Sequence, residues 1–208
     1  MDDRVVITLF RHGLTESNKK GLYCGWTDIP LSEEGISGLG HQSGHYPDPD
    51  LLFSSDLHRC RQSSKLLFPN HEPILSKEWR EIHFGDWEEK SYDMLKNDRS
   101  YQNWLDHFFH VSPPNGESFH EFSKRVDKGF ERVRKALDIQ RKHHAVIVTH
   151  GGPIKYVLTK YAPLAKDFWE WTVKPGEGVR LYWNKEQLRR GKRCISLQEV
   201  PLTVSGNG

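Results

Sequence analysis

Apolar positions along this chain fall into short unbroken runs and longer stripes of helical spacing, and the two kinds alternate. Val5, Val6, Ile7, Thr8, Leu9 and Phe10 form one run, broken at once by Arg11-His12-Gly13. A short run without polar alternation predicts a strand buried on both faces. Ala145 to Thr149 is a second run, closed by His150-Gly151-Gly152, and Leu51-Leu52-Phe53-Ser54 is a third. Between them helical spacing takes over. Ser32 is placed as N-cap of a helix that starts at Glu33 and ends near Gly44. Leu57, Cys60, Ser64 and Leu67 share one side of a helix over 56–68, stopped by Pro69. After the turn Pro113-Pro114-Asn115-Gly116 comes the clearest helix, with Phe119, Phe122, Val126, Phe130, Val133 and Leu137 stepping by three and four. Val179 to Trp183 and Cys194 to Leu197 read as two late strands, antiparallel at the sheet edge and joined by the polar segment 184–193. This order predicts an α/β fold: a three-layer α/β/α sandwich around a mostly parallel sheet with an antiparallel edge strand.

The texture changes between Trp79 and Pro114, where Trp79, Phe84, Trp87, Tyr92, Tyr101, Trp104, Phe108 and Phe109 crowd an otherwise irregular stretch. Two readings stand: a lid or substrate subdomain over residues 79–116, or a small satellite core, since clustered aromatics usually pack on each other. Length then bounds the whole. A chain of 208 residues suits a single domain spanning 1–208. Apolar residues at 36%, charged residues at 28% and a net charge of +2 place it among ordinary globular proteins and single out no polyanionic partner. No run approaches the roughly 20 apolar residues that cross a bilayer. Met1-Asp2-Asp3 leads into a strand instead of a basic, apolar signal. The expectation is a cytoplasmic protein, monomer or homodimer, with neither membrane nor nucleic acid as partner. Cys24, Cys60 and Cys194 are few, odd in number and far apart, hence free thiols.

Histidine beside arginine at the end of a buried strand is a place for chemistry, because ligands collect outside the carboxyl ends of strands in such sheets. A second histidine ends the 145–149 run, and two histidines with an arginine at neighbouring strand ends suggest phosphate handling. Phosphoryl transfer asks for an in-line nucleophile, cations on the equatorial oxygens and a proton for the leaving alkoxide. A neutral imidazole can attack phosphorus and form a phosphohistidine. The arginine fork binds two oxygens and keeps its charge.

Six signals in order then resemble one family. Arg11-His12-Gly13, Asn18, Cys24-Gly25-Trp26-Thr27-Asp28, Ser55-Asp56-Leu57 with Arg59, Arg80-Glu81 and Thr149-His150-Gly151 are similar to the histidine phosphatase superfamily, in its phosphoglycerate mutase-like branch, from about residue 5 to 185. Within it, the segment Arg80 to Glu88, the turn Asn115-Gly116-Glu117-Ser118-Phe119 with Phe122 and Arg125, and Phe168-Trp169 most resemble α-ribazole phosphatases. The resemblance implies His12 as nucleophile, with Arg11, Arg59 and His150 holding the phosphate. It implies Glu81 as acid and then base, and Asn18, Cys24, Gly25 and Gly151 lining the phosphate pocket. It implies a small phosphate ester as substrate, a helical insertion over the active site, and no cofactor or metal. Cys24 stands where some relatives carry a hydroxyl residue, and Leu14 where an acidic residue is frequent.

Phosphoglycerate mutases carry a tyrosine, a downstream lysine and adjacent arginines after the acid. Here Phe84 replaces the tyrosine, Lys90 is followed by Ser91-Tyr92, and no Arg-Arg pair lies between Arg80 and Pro114. Hydrolysis of α-ribazole 5′-phosphate is therefore the leading expectation. A mutase or broad-specificity phosphatase on sugar phosphates or phosphoglycerates is the second, and a catalytically silent phospho-ligand binder the third. Glu81 has rivals for the acid in Glu78, Asp86, Glu88 and Glu89. His41 with His45 gives an i, i+4 pair without HExxH or an acidic cluster. His41, His45, His143 and His144 are read as surface residues, and the basic run Arg189 to Arg193 as a solvated turn.

Overall fold

A computed structural model describes residues 3–200 of the chain. Met1 and Asp2 of the N-terminal lead-in, and 201–208 of the expected single domain, lie outside the described residues. In chain order the strands are β1 (Arg4–Arg11), β2 (Leu51–Ser55), β3 (Ile74–Ser76), β4 (His144–Thr149), β5 (Gly178–Asn184) and β6 (Ser196–Val200). The helices are α1 (Glu16–Lys19), α2 (Glu33–Gly40), α3 (His58–Leu67), α4 (Tyr92–Leu95), α5 (Arg99–Asp106), α6 (Phe119–Ile139), α7 (Gly151–Tyr161) and α8 (Lys185–Arg189). One sheet runs in the order β3-β2-β4-β1-β5-β6. Its first four strands are parallel, and β5 runs antiparallel to both β1 and β6.

Successive side chains of a strand face opposite ways, and the two faces of β4 show it. Ala145 and Ile147 join the core under α6 and α7 with Val5, Ile7 and Leu9 of β1. Val146 and Val148 join Phe10, Leu39, Cys60 and Leu67 on the α2 and α3 side. Two cores on two faces make the three expected layers. The α6 stripe Phe122, Val126, Phe130, Val133 and Leu137 is buried throughout, at about 2 kcal/mol of apolar transfer for each large side chain. Ser118 and Glu121 close a reciprocal capping box at its start.

Some expectations need correction. Helix α2 stops at Gly40, not near Gly44, because glycines at 38 and 40 weaken it and the chain leaves through turns to Gly44 at φ +75°. The last strand starts at Ser196, two residues after Cys194. The segment 184–193 carries the short helix α8, capped by Asn184, and β3 extends the sheet where no strand was expected. His144 is half-buried, bonded to Thr8 Oγ1 at 3.0 Å, and burial holds its pKa low, so it is no surface residue. Trp79, Trp87, Tyr101, Trp104 and Phe108 belong to the same core as β1 and β4. The aromatic stretch is therefore a helical wall continuous with the main core and no separate satellite. No helix among the described residues is long and apolar enough to cross a membrane.

Candidate active site

Strands β1 and β4 are parallel neighbours with Arg11 opposite Thr149, so the residues that follow them, His12 and His150, leave the sheet side by side. Their ring centroids are 5.1 Å apart and both rings are buried. His12 Nδ1 lies 2.7 Å from the carbonyl oxygen of Gly13. A carbonyl only accepts, so Nδ1 carries the proton and Nε2 keeps its lone pair. Burial, then the charges of Arg59 and Arg11, hold the His12 pKa well below its ordinary value. His150, N-cap of α7, is held low by burial and by Arg59; its Nε2 lies 3.0 Å from Ser55 Oγ and 3.4 Å from Cys60 Sγ. Both imidazoles are thus neutral near pH 7.

Arg59 is fully buried, which its place on a polar helix did not announce. Its Nη atoms donate to the carbonyls of Thr27, Cys24 and Gly25, and its Nε has no partner. Arg11 donates from Nη1 to Val173 O at 2.8 Å, its Nε is likewise buried without a partner, and burial lowers its pKa. An unpaired buried donor costs roughly 1–3 kcal/mol, more for a charged group. Two such donors beside two neutral imidazoles form a cradle that an anion completes.

The structure separates Glu81 from its rivals. Glu78 pairs with Arg132 and Lys128, Asp86 bonds Asn115, Glu88 is taken up by backbone amides, and Glu89 is exposed. Glu81 Oε2 accepts the Gly152 N–H at 2.9 Å, at the start of α7, within the field of Arg11. Its carbonyl oxygen is pinned by Trp26 Nε1 at 2.9 Å and Arg125 Nη2 at 3.1 Å, with Arg125 itself held by Glu117. A Cβ on Gly152 would fall 2.1 Å from Glu81 Oε1, so only glycine leaves the carboxylate its seat. Gly152→Ala therefore gives a stable protein, since alanine is the better helix former by about 1 kcal/mol, with turnover down by about 10²-fold as Glu81 is displaced. A thermal scan beside an ester assay checks it. Retained activity would show that the seat at α7 is dispensable.

The loop 24–27 closes the site. Glu88 accepts hydrogen bonds from the amides of Gly25, Trp26, Thr27 and Phe84 and from Thr27 Oγ1, at 2.8–3.2 Å. This turns the loop carbonyls onto Arg59. Gly25 is thus placed beside Arg59 by its carbonyl, while its N–H is committed to Glu88. Cys24 is partly buried, its thiol pushed up by burial and 3.8 Å from Thr27 O. The Asn18 side-chain oxygen serves the capping box of α1 with Thr15. Gly151 passes Arg11 closely, an added Cβ lying 3.5 Å from the guanidinium carbon. Ser63, which accepts from the Gly13 amide at 3.0 Å, and the contacts of Ser55 and Cys60 with His150 were not legible in the chain, because short polar residues on a strand end and a helix look like ordinary core.

Buried cations, two neutral imidazoles and one carboxylate seated on a helix N-terminus define a protein that handles a phosphorylated small molecule at the strand ends of an α/β sheet. The comparisons agree. The family model of the histidine phosphatase superfamily (branch 1) matches residues 7–193, and the chain belongs to that superfamily. It is 32% identical over 178 residues to the adenosylcobalamin/alpha-ribazole phosphatase of Salmonella typhimurium strain LT2, covering 81% of this chain and 85% of that one. The crystal structure of the alpha-ribazole phosphatase from Shigella flexneri matches with a TM-score of 0.76 at 28% identity, over 88% of this chain and 92% of that one. That of phosphoglycerate mutase from Thermus thermophilus matches with a TM-score of 0.66 at 34% identity, over 85% and 92%.

Proposed function

We propose that the protein, as one catalytic unit over 1–208, is a metal-independent phosphomonoesterase acting through a phosphohistidine at His12, with α-ribazole 5′-phosphate as substrate. The observation that carries the chemistry is the pair of buried, unpartnered Nε donors of Arg11 and Arg59 beside a His12 whose Nε2 lone pair is free. Nε2 attacks phosphorus, the ester P–O bond breaks, and Glu81 gives its proton to the leaving oxygen. Glu81 then takes a proton from the water that displaces phosphate from His12, so both groups return to their starting states. Arg11, Arg59 and His150 bear on the equatorial oxygens, and the guanidiniums do the charge neutralisation that Mg²⁺ does at other phosphoryl-transfer sites. The substrate rests on the names of the relatives, at about 30% identity.

Phosphate release in EDTA, from α-ribazole 5′-phosphate beside 3-phosphoglycerate, nucleotides, sugar phosphates and p-nitrophenyl phosphate, tests it. A clear preference for the ribazole ester supports the reading and places the enzyme in lower-ligand assembly of cobalamin. Flat, slow rates leave the chemistry and remove the substrate. The likeness to phosphoglycerate mutase favours a second reading, which phosphate transfer from 2,3-bisphosphoglycerate to 3-phosphoglycerate would establish.

The neutral histidines also set a pH dependence of stability. In the unfolded chain His12 and His150 bind protons near 6.5; in the folded chain they do so well below it. The unfolded state therefore takes up more protons as pH falls, and stability, complete above 6.5, is lost below it at up to about 1.4 kcal/mol per pH unit for each histidine. Urea midpoints measured from pH 7.5 to 5 should drop steeply below 6.5, and His12→Asn should flatten the slope. A level profile would mean that the rings take up protons in the fold as readily as in the unfolded chain.

A further inference from the structure

We propose that Lys155 and the exposed face of Trp169 form a leaving-group subsite that selects esters whose alcohol carries a flat aromatic ring. This deepens the phosphatase reading and rests on it. Residues three and four apart on a helix share a face, so Lys155 stands one turn along α7 from Gly151 and Gly152, which touch Arg11 and Glu81. That turn is roughly 6 Å of helix rise, about the span of a pentose. The Lys155 ammonium lies within the fields of Glu81 and Arg11, and burial pushes its pKa down. Among the described residues it makes no ion pair. Its neighbours are rings, with Nζ 5.2 Å from the centre of Trp169 and 5.8 Å from that of Phe168.

Trp169 is the one exposed tryptophan among seven, with 55% of its surface open, and its inner side leans on Phe108 at 4.6 Å. Phe109, 46% open, continues the apolar ledge from Phe108. An open indole next to a half-buried, unpaired ammonium offers a stacking face and a hydrogen-bond donor together, on the same wall as the acid. A heteroaromatic base on a sugar uses both: its ring stacks on Trp169, and a ring nitrogen or sugar hydroxyl accepts from Lys155. A three-carbon carboxylated ester would leave the apolar ledge unused.

The ratio of kcat/KM for α-ribazole 5′-phosphate to that for ribose 5-phosphate, the same sugar without the base, reads the subsite directly. Trp169→Ala should lower this ratio by about 10- to 100-fold, the contribution of one base stacked on an aromatic ring. The loss should lie in KM, and Trp169→Phe should recover part of it. Lys155→Met keeps the stem on the indole and should raise KM for the ribazole ester about tenfold. An unchanged ratio in Trp169→Ala overturns the subsite, and an unchanged KM in Lys155→Met removes the lysine from it. AMP separates the two readings. If the wild type ignores the ribazole ester while the AMP to ribose 5-phosphate ratio falls in Trp169→Ala, the subsite stands and the ribazole assignment fails. Hydrolysis of no ester at all overturns both.

Discussion

His12→Ala is expected to lower turnover by about 10⁴-fold or more and to abolish acid-labile labelling by a ³²P ester. Losses of that size follow removal of a nucleophile, because the remaining groups still bind and polarise the ester but no longer divide the displacement into two steps. The geometry makes the expectation sharp. His12 holds its Nδ1 proton on Gly13 O, which leaves Nε2 as the nitrogen with a free lone pair, and the ring is neutral without help from a base. His150, 5.1 Å away, has its Nε2 engaged by Ser55 and Cys60 and is not placed to substitute. The fold should survive, since the substitution removes a histidine whose charged form the site disfavours. A folded His12→Ala protein that turned over ester at the normal rate would place the nucleophile elsewhere.

Glu81→Gln should cost about 10²- to 10⁴-fold on alkyl phosphates, the usual worth of a positioned acid or base, and its effect should depend on the leaving group. The amide oxygen can still accept from Gly152 N–H, which keeps the side chain at α7, but the second acceptor, used by Ile82 N–H at 2.9 Å, is lost together with proton transfer. p-Nitrophenolate leaves without a proton, which spares the first step for p-nitrophenyl phosphate. The second step still lacks the group that activates water, so phosphorylated His12 should accumulate, visible as a burst of one nitrophenol per chain and a stable ³²P label. Equal losses on both kinds of ester, with no burst, would assign the proton to another group. Glu78, Asp86, Glu88 and Glu89 are poor substitutes, because each is tied to other partners or faces solvent.

Much of this was legible in the chain. The apolar runs before His12 and His150 and the stripe from Phe119 to Leu137 are local patterns, encoded within a few turns or one strand, and they appear as β1, β4 and α6. Two parallel strands that end alike bring their next residues together, so the histidine pair followed from sequence order once the strands were adjacent. Arg11, Arg59 and Glu81 were named from resemblance; the two arginine charges act on both rings, and Glu81 bonds the Gly152 amide two residues after His150.

What the chain alone left open depends on contacts between residues far apart in it. Which of five carboxylates faces Arg11 is decided by Gly152, 71 positions from Glu81, and by Arg125 and Trp26, which pin its backbone. Arg59 was named from resemblance, but its full burial came only from the loop 24–27, which Glu88 holds with its carbonyls folded over the guanidinium. Trp169 entered only as part of a resemblance, and its exposure and its packing beside Lys155 on α7 distinguish an open ring from a core one. Hydrophobic periodicity is a property of neighbours along the chain, and it determined the main strands, the long helix α6 and the three layers. Burial, hydrogen-bond partners and the field at a titrating group are properties of neighbours in space, and they decided which carboxylate meets the start of α7, which arginine is buried under the loop 24–27 and which tryptophan stays open.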